Sequence, residues 1–220
     1  AFGWEPIVLT VRNSCYSNNI WLDQGLMEDI PGDISIYRTG IWKIKAINNE
    51  GVRWLPFLLS AVGKLVNKEK PKLVYLTGGP FFPLLAGPFV YLLFKKPYVV
   101  DLRDPWRLAR KDRQKLGLKG TIGNLITNVV EPLVLRFASK IICVSEHMCE
   151  EYQQAYPHYK SKFTVLPNGY DISDVDGIKP YSYTKFTIVY TGKFRTSEAF
   201  RDPGPFFQAL KMCCDLGYNI

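Results

Sequence analysis

The sequence predicts an α/β protein built on a doubly wound parallel sheet with helices on both faces. Short apolar runs rich in β-branched residues recur along the chain and indicate buried strands. Longer segments with apolar residues at helical spacing lie between several of these runs. Because strands that alternate with helices pair in parallel, this order favours a central sheet covered by helices.

Each element is predicted from its local pattern. The strands are short apolar runs bounded by turn residues, at 7–11, 34–39, 73–77, 98–102, 141–145 and 162–166. The helices are longer segments between consecutive strands, at 52–66, 81–94, 122–138 and 146–155. The first helix stops before Pro71, since proline cannot continue a helix.

A change of domain is predicted near the C-terminal end. The pattern of residues 164–171 predicts a strand that stops at a Pro-Asn-Gly turn. The pattern of residues 188–194 predicts a new strand that ends in a Gly-Lys turn. The stretch between them is polar and rich in turn residues. We therefore predict a first domain over 1–171, a linker over 172–184 and the start of a second domain over 185–220.

The start of the chain suggests that one strand is absent. The run Gly-Trp-Glu-Pro at 3–6 resembles the end of a helix that leads into the second strand of a unit. An absent first strand leaves two strand edges open, and open edges must be covered. One hypothesis is that the apolar segment 186–190 occupies this gap.

The composition excludes several classes of protein. Hydrophobic content of 47% and charged content of 22% are ordinary for a soluble globular chain. The five cysteines form no Cys-x-x-Cys pair and there are two histidines, so no metal site is predicted. Scattered cysteines suit a reducing compartment, which predicts a cytoplasmic location. The apolar stretch 81–94, about 14 residues, is too short to span a bilayer.

The net charge of +8 is concentrated in one segment. Between positions 103 and 119 there are seven basic residues and two acidic ones. Substrate phosphates, an anionic membrane surface and nucleic acid each explain such a segment, and a solvated helix face explains it without any partner.

Two candidate ligand-binding loops follow predicted strands, where open parallel sheets bind ligands. Gly78 and Gly79 permit close approach of the backbone to an anion, or form a turn with Pro80 as the first helical residue. Asp101, Arg103 and Asp104 favour a cluster that binds sugar hydroxyls. Trp106 would stack on a sugar face beside them. The structural alternative is an Arg103–Asp101 pair, with Asp104 as a helix N-cap.

Three further candidates lie towards the C-terminal end. Ser145 and Glu146 suit the start of a helix or the lining of a cleft, and Asn168 suits a turn or the same cleft. Gly192 and Lys193 place a cation in a flexible turn suited to a diphosphate, and Arg195 follows closely.

The order of these motifs resembles the GT-B-fold glycosyltransferases of family four. The motifs are Gly-Trp-Glu-x-x-Val-Leu-Thr, Gly-Gly-Pro, Val-Val-Asp-Leu-Arg-Asp-Pro-Trp, Ile-Ile-Cys-Val-Ser-Glu, Val-Leu-Pro-Asn-Gly-Tyr-Asp and Tyr-Thr-Gly-Lys-Phe. The resemblance implies a Rossmann-like, acceptor-side N-terminal domain, truncated at its start, followed by part of a donor-binding domain. It also implies transfer of a sugar from a nucleotide-sugar to a saccharide or lipid-linked acceptor, in polysaccharide biosynthesis, without a metal or an organic cofactor.

The resemblance also implies roles for individual residues. Lys193, with Gly192, matches the family's basic turn that contacts the donor diphosphate. Asp101, Arg103 and Asp104 match the segment that faces the transferred sugar or the acceptor, although many relatives carry a histidine there and this chain does not. The family's glycine-rich first loop and paired glutamates are absent, so the resemblance implies that this chain alone is inactive.

Two other functions remain open from the sequence. A non-catalytic Rossmann-like module that binds an anionic ligand explains the charge, but it does not explain a new strand after the linker. Nucleic-acid binding is disfavoured because the aromatic residues lie mostly in apolar runs, and we expect no nucleic-acid partner. A peripheral position on the inner face of a membrane is also expected, since the basic segment and residues 81–94 suit an anionic surface.

Overall fold

The computed structural model describes residues 3–15, 30–44, 47, 49–108, 118–172, 175–192, 194 and 202–218, with the side chains of 118–124 left aside. The chain divides into two compact units, Ala1–Gly169 and Tyr170–Ile220. The first unit contains the predicted strands and helices.

The described residues of the first unit contain six strands and four α-helices. The strands are β1 (Ile7–Val11), β2 (Ser35–Thr39), β3 (Val74–Thr77), β4 (Tyr98–Leu102), β5 (Lys140–Cys143) and β6 (Phe163–Val165). The helices are α1 (Glu50–Glu69), α2 (Ala86–Phe94), α3 (Leu118–Phe137) and α4 (Glu146–Ala155). One parallel sheet contains β1 and β2, and a second contains β3 to β6 in chain order, all parallel. The predicted parallel α/β fold is therefore confirmed.

Local sequence signals fix the ends of the helices. The Asn49 side chain accepts a hydrogen bond from the Val52 amide at the start of α1, and Lys70 ends that helix in a left-handed conformation with a φ of 46°. Residues 81–94, predicted as one helix, divide into a 3-10 turn at Phe82–Leu85 and the shorter helix α2. Pro83 lies near the start of that turn, where its missing amide hydrogen costs little.

Helices α2, α3 and α4 pack on the same face of the larger sheet, as right-handed crossovers between neighbouring parallel strands require. Tyr98 of β4 is fully buried under them, and its hydroxyl donates to the Val134 carbonyl of α3 at 2.6 Å. A Cβ on Gly87 of α2 would lie 2.4 Å from the Tyr98 ring, so only glycine lets this helix approach so closely. A second apolar cluster joins α1 to α2 through Leu58, Val62 and Val90.

The second unit contains one described helix, α5 (Gly204–Asp215). The strand predicted within 186–194 is wrong for the part that the structure describes, since residues 186–190 adopt no regular structure there. Phe186 and Ile188 are 85% and 57% exposed. An apolar run becomes a strand only when a partner supplies hydrogen bonds, and no strand in the described part of the chain pairs with this run. The hypothesis that it fills a gap in the sheet of the first unit is therefore also wrong.

No helix in the described part of the chain combines the length and the hydropathy needed to cross a bilayer.

Candidate functional site

The carboxyl ends of β3 to β6 form one edge of the larger sheet, the edge at which open parallel sheets bind ligands. Backbone hydrogen bonds join the loops that follow these strands. The Gly78 amide donates to the Asp101 carbonyl at 2.8 Å, and the Leu166 amide donates to the Cys143 carbonyl at 2.9 Å. The fold therefore brings candidates from separate stretches of sequence to one edge.

Asp101, Arg103 and Asn168 form a polar cluster at this edge. The Asp101 carboxylate is buried at the end of β4, and its Oδ2 accepts from Arg103 Nε at 2.6 Å. Arg103 Nη1 donates to the Asn168 side-chain oxygen, which joins residues 65 positions apart in the sequence. Asp101 Oδ1 is buried without a hydrogen-bond partner in the described part of the chain. Since the Arg103 side chain remains 39% exposed, this cluster can contact a ligand.

Tyr75 on β3 is a neighbour of this cluster that the sequence analysis missed. Partial burial, and then hydrogen bonding to Asp101, raises the pKa of Tyr75 to about 12. The raised pKa keeps the hydroxyl protonated at neutral pH, in the form that donates a hydrogen bond to the Asp101 carboxylate. In the sequence Tyr75 is one residue of an apolar strand, and only the pairing of β3 with β4 places it beside Asp101.

Trp106 lies in the core, which corrects the prediction that its indole stacks on a sugar. The side chain is 2% exposed, and its ring stacks on Phe81 at 5.2 Å between centroids and 7° between planes. The edge of Phe82 packs against it as well. Burial of so large an apolar side chain stabilises the loop after β4 but leaves no free face for a ligand.

Asp104 remains exposed at the same edge. The structural alternative, in which it caps a helix that begins at Pro105, is wrong because residues 105–108 adopt no α-helix. The Asp104 carboxylate is therefore left open to solvent and to a ligand.

The structure corrects the helical interpretation of the Gly78-Gly79-Pro80 loop and gives a partner to one of its amides. The amide of Gly78 is used by the Asp101 carbonyl and is not free for an anion. Gly79 has a φ of +101°, a conformation that favours glycine, and the Gly79–Pro80 peptide is cis. Pro80 does not start a helix, since the helical turn begins at Phe82.

Ser145 caps α4, as its structural interpretation predicted. Its Oγ accepts from the Met148 amide at 3.3 Å. Glu146 lies in the first turn with its side chain exposed, where a negative charge favours the helix terminus. The Ser145 hydroxyl thus has a structural partner, whereas Glu146 is left at the edge of the sheet.

A second candidate site, missed by the sequence analysis, lies at the carboxyl ends of β1 and β2. It is an open cavity of about 300 Å³ beside α1. Its polar lining includes Arg12, Arg38, Thr39, Ser60 and Lys64. Among the described residues, three cations and no acidic side chain line this cavity, so it favours an anionic group. The cations come from three different elements or loops, and no local motif in the sequence marks them.

The predicted diphosphate turn belongs to the second unit. Gly192 is exposed, and the rings of Tyr190 and Phe194, two residues away on either side, stack on each other with their centroids 4.4 Å apart. Lys193 and Arg195 lie outside the described residues. Their contact with a donor diphosphate remains a prediction.

Among the side chains that the structure describes, no group of three His, Cys, Asp or Glu residues is placed to hold a metal ion.

Comparison with known proteins identifies the family. The family model described as Glycosyltransferase Family 4 matches residues 23–174, well over half of the chain. This match includes the whole edge formed by β3 to β6 and the loops that carry Asp101, Arg103, Ser145 and Asn168. A search of curated proteins finds no match. The match confirms the resemblance drawn from the motifs, and the chain belongs to glycosyltransferase family 4.

Proposed function

We propose that this protein transfers a sugar from a nucleotide-sugar to a saccharide or lipid-linked acceptor, and that the Ala1–Gly169 unit holds the acceptor side. The observation that carries the proposal is the match to glycosyltransferase family 4 over the sheet edge where Asp101, Arg103 and Asn168 meet. This edge is the one at which parallel α/β sheets bind ligands.

The chemistry of glycosyl transfer supports roles for these groups. The bond between the anomeric carbon and the diphosphate breaks, the acceptor oxygen forms a new bond to that carbon, and its proton must leave. The exposed carboxylate of Asp104 is available to take that proton. Arg103 is held in place by Asp101 and Asn168, so it can hydrogen-bond the acceptor or the transferred sugar at little cost in side-chain entropy.

Negative charge develops on the departing diphosphate. Cations that are fixed in place before the reaction stabilise such charge effectively. We propose this role for the turn of Gly192 and Lys193, with Arg195, on the basis of the family resemblance. The nucleotide-sugar is then a co-substrate, and we propose that neither a metal nor an organic cofactor is required.

The cavity lined by Arg12, Arg38 and Lys64 supports an acceptor that carries an anionic group, such as the phosphate of a lipid-linked saccharide. The same observation favours the second candidate function, a non-catalytic module that binds an anionic ligand. The two functions differ in their products, because only the transferase releases free nucleotide together with a glycosylated acceptor.

An exposed apolar surface supports a peripheral position on a membrane. Leu125, Val129 and Leu133 of α3 are 67%, 66% and 38% exposed and lie at four-residue spacing, so they share one face of the helix. Leu92 and Leu93 at the end of the neighbouring helix α2 are also exposed. Each of the two helices ends beside an exposed cation. Lys95 follows α2, and Arg136 lies in the last turn of α3.

Apolar side chains next to cations are typical of proteins that bind anionic lipid surfaces. All five cysteines are free, which supports a reducing compartment and hence the cytoplasmic side of that membrane.

Vesicle binding tests the membrane proposal. We expect the full-length protein to sediment with vesicles that contain anionic lipid at low salt. A Leu125→Asp/Val129→Asp variant should lose most of this binding, since a charge on the apolar face opposes insertion. Ile188→Asp, at an exposed apolar position of the second unit, is the matched control. Equal sedimentation of the two variants would contradict a role for this face.

A donor screen tests the function itself. Nucleotide-sugars are compared by thermal shift on the full-length protein, and those that stabilise it are incubated with saccharide and lipid-linked acceptors. We expect stabilisation by at least one nucleotide-sugar, followed by formation of a glycosylated product. Stabilisation without any product would instead favour the binding module.

A further inference from the structure

Two successive backbone amides after β4 donate into the interior of the first unit. The Trp106 amide donates to the Tyr152 hydroxyl at 2.8 Å, and the Arg107 amide donates to Glu131 Oε2 at 2.6 Å. Both acceptors belong to helices, Glu131 to α3 and Tyr152 to α4. The loop that carries Asp101, Arg103 and Asp104 is thus attached to the helical layer a few residues after Asp104.

Glu131 is the common acceptor of this network. Its Oε1 accepts from the Tyr156 hydroxyl at 2.6 Å, and its Oε2 also lies 3.5 Å from the Tyr152 hydroxyl. Arg107 Nε lies 3.6 Å from Oε1 and donates to the Tyr156 hydroxyl at 3.1 Å. Every one of these neighbours presents a hydrogen to Glu131. A carboxylate, which only accepts, is the side chain that satisfies them all.

The position of Glu131 is costly in free energy. The residue is fully buried, and this burial raises the pKa of its carboxyl group by more than the hydrogen bonds from Tyr156 and Arg107 lower it. A buried carboxylate is tolerated only where donors surround it. An apolar residue at this position would pack against the core without that cost, so the packing of α3 does not explain the carboxylate.

We propose that Glu131, Tyr152 and Tyr156 form an anchor that positions the segment 101–107 for glycosyl transfer. These three are positioning residues that act through the loop, and this role rests on the function proposed above. The segment is held at its start by β4 and by the Arg103 contacts with Asp101 and Asn168. The anchor holds its end, so that the exposed Asp104 lies between two fixed points.

Hydrogen exchange on the full-length protein tests the anchor independently of catalysis. In Tyr152→Phe the amide of Trp106 loses its acceptor, so we expect exchange in residues 103–108 to become about tenfold faster. Tyr98→Phe is the matched control, because Tyr98 is an equally buried tyrosine whose hydroxyl donates to the Val134 carbonyl of α3 rather than bonding an amide of the loop. Equal exchange of the loop in both variants would overturn the anchor.

Steady-state kinetics then tests what the anchor does for the reaction. We expect Tyr152→Phe and Glu131→Gln to lower kcat about tenfold with little change in the KM for the donor, and Tyr98→Phe to leave both unchanged. If kcat in the three variants falls only in proportion to their loss of thermal stability, the result contradicts a positioning role. If the wild-type protein transfers no sugar, the proposed function fails, whereas the exchange result still decides whether the anchor holds the loop.

Discussion

Two of the candidate ligand-binding regions, the edge of the larger sheet and the Gly192 turn, differ in how their side chains are held. At the edge of the larger sheet, Asp101 is buried and Arg103 is bound at two points. In the second unit, Gly192 lies in an exposed turn, and the apolar residues around it are mostly exposed as well. Preorganised polar groups require a packed scaffold behind them. Within the described residues only the first region has such a scaffold, which is why we propose the acceptor chemistry for it.

Glycine substitutions give the largest expected difference in stability between the two regions. Gly87→Ala places a methyl group 2.4 Å from the Tyr98 ring and should lower the free energy of unfolding by about 1–3 kcal/mol. Gly192→Ala meets the Tyr190 hydroxyl at 2.7 Å, the mobile end of an exposed side chain, and should change stability by less than about 0.5 kcal/mol. Denaturant unfolding of both variants measures the contrast. Similar losses would mean that the second unit is packed as tightly as the first.

A smaller contrast is expected for serine. Ser145→Ala removes the cap of α4 and should cost about 1 kcal/mol, because the Met148 amide loses its acceptor. Ser182→Ala, at an exposed position of the second unit, should be neutral. Thermal unfolding of the two variants checks this. A stable Ser145→Ala variant would show that water replaces the cap at the edge of the sheet.

The parts of the fold that the sequence predicted are those with strong local signals. Helix α4 was predicted at its observed bounds, because Ser145 is a good N-cap and the preceding strand is continuously apolar. The run 186–190 has an equally apolar pattern and forms no strand. Strand formation depends on a partner elsewhere in the chain, which a local pattern does not show.

Only part of the candidate site was predicted, because a local pattern does not show contacts with distant parts of the chain. Asp101 and Arg103 were found because they follow a clear strand. Trp106 was misplaced because its burial depends on Phe81, and Phe81 contacts it only in the folded chain. Glu131 carried a signal that was overlooked: it is the one acidic residue between positions 113 and 145, in an otherwise apolar part of a helix. A lone acid in such a setting indicates a buried hydrogen-bond acceptor.

The central claim is that the cluster at the sheet edge acts in sugar transfer, and one kinetic comparison tests it most directly. Arg103→Lys keeps the charge, but a lysine cannot reproduce the two contacts with Asp101 and Asn168. Arg136→Lys, an exposed arginine over the Phe137 ring, is the matched control. With a donor and an acceptor of the full-length protein, we expect kcat/KM to fall about a hundredfold in Arg103→Lys and to stay unchanged in Arg136→Lys. Wild-type transfer rates in both variants would contradict the claim.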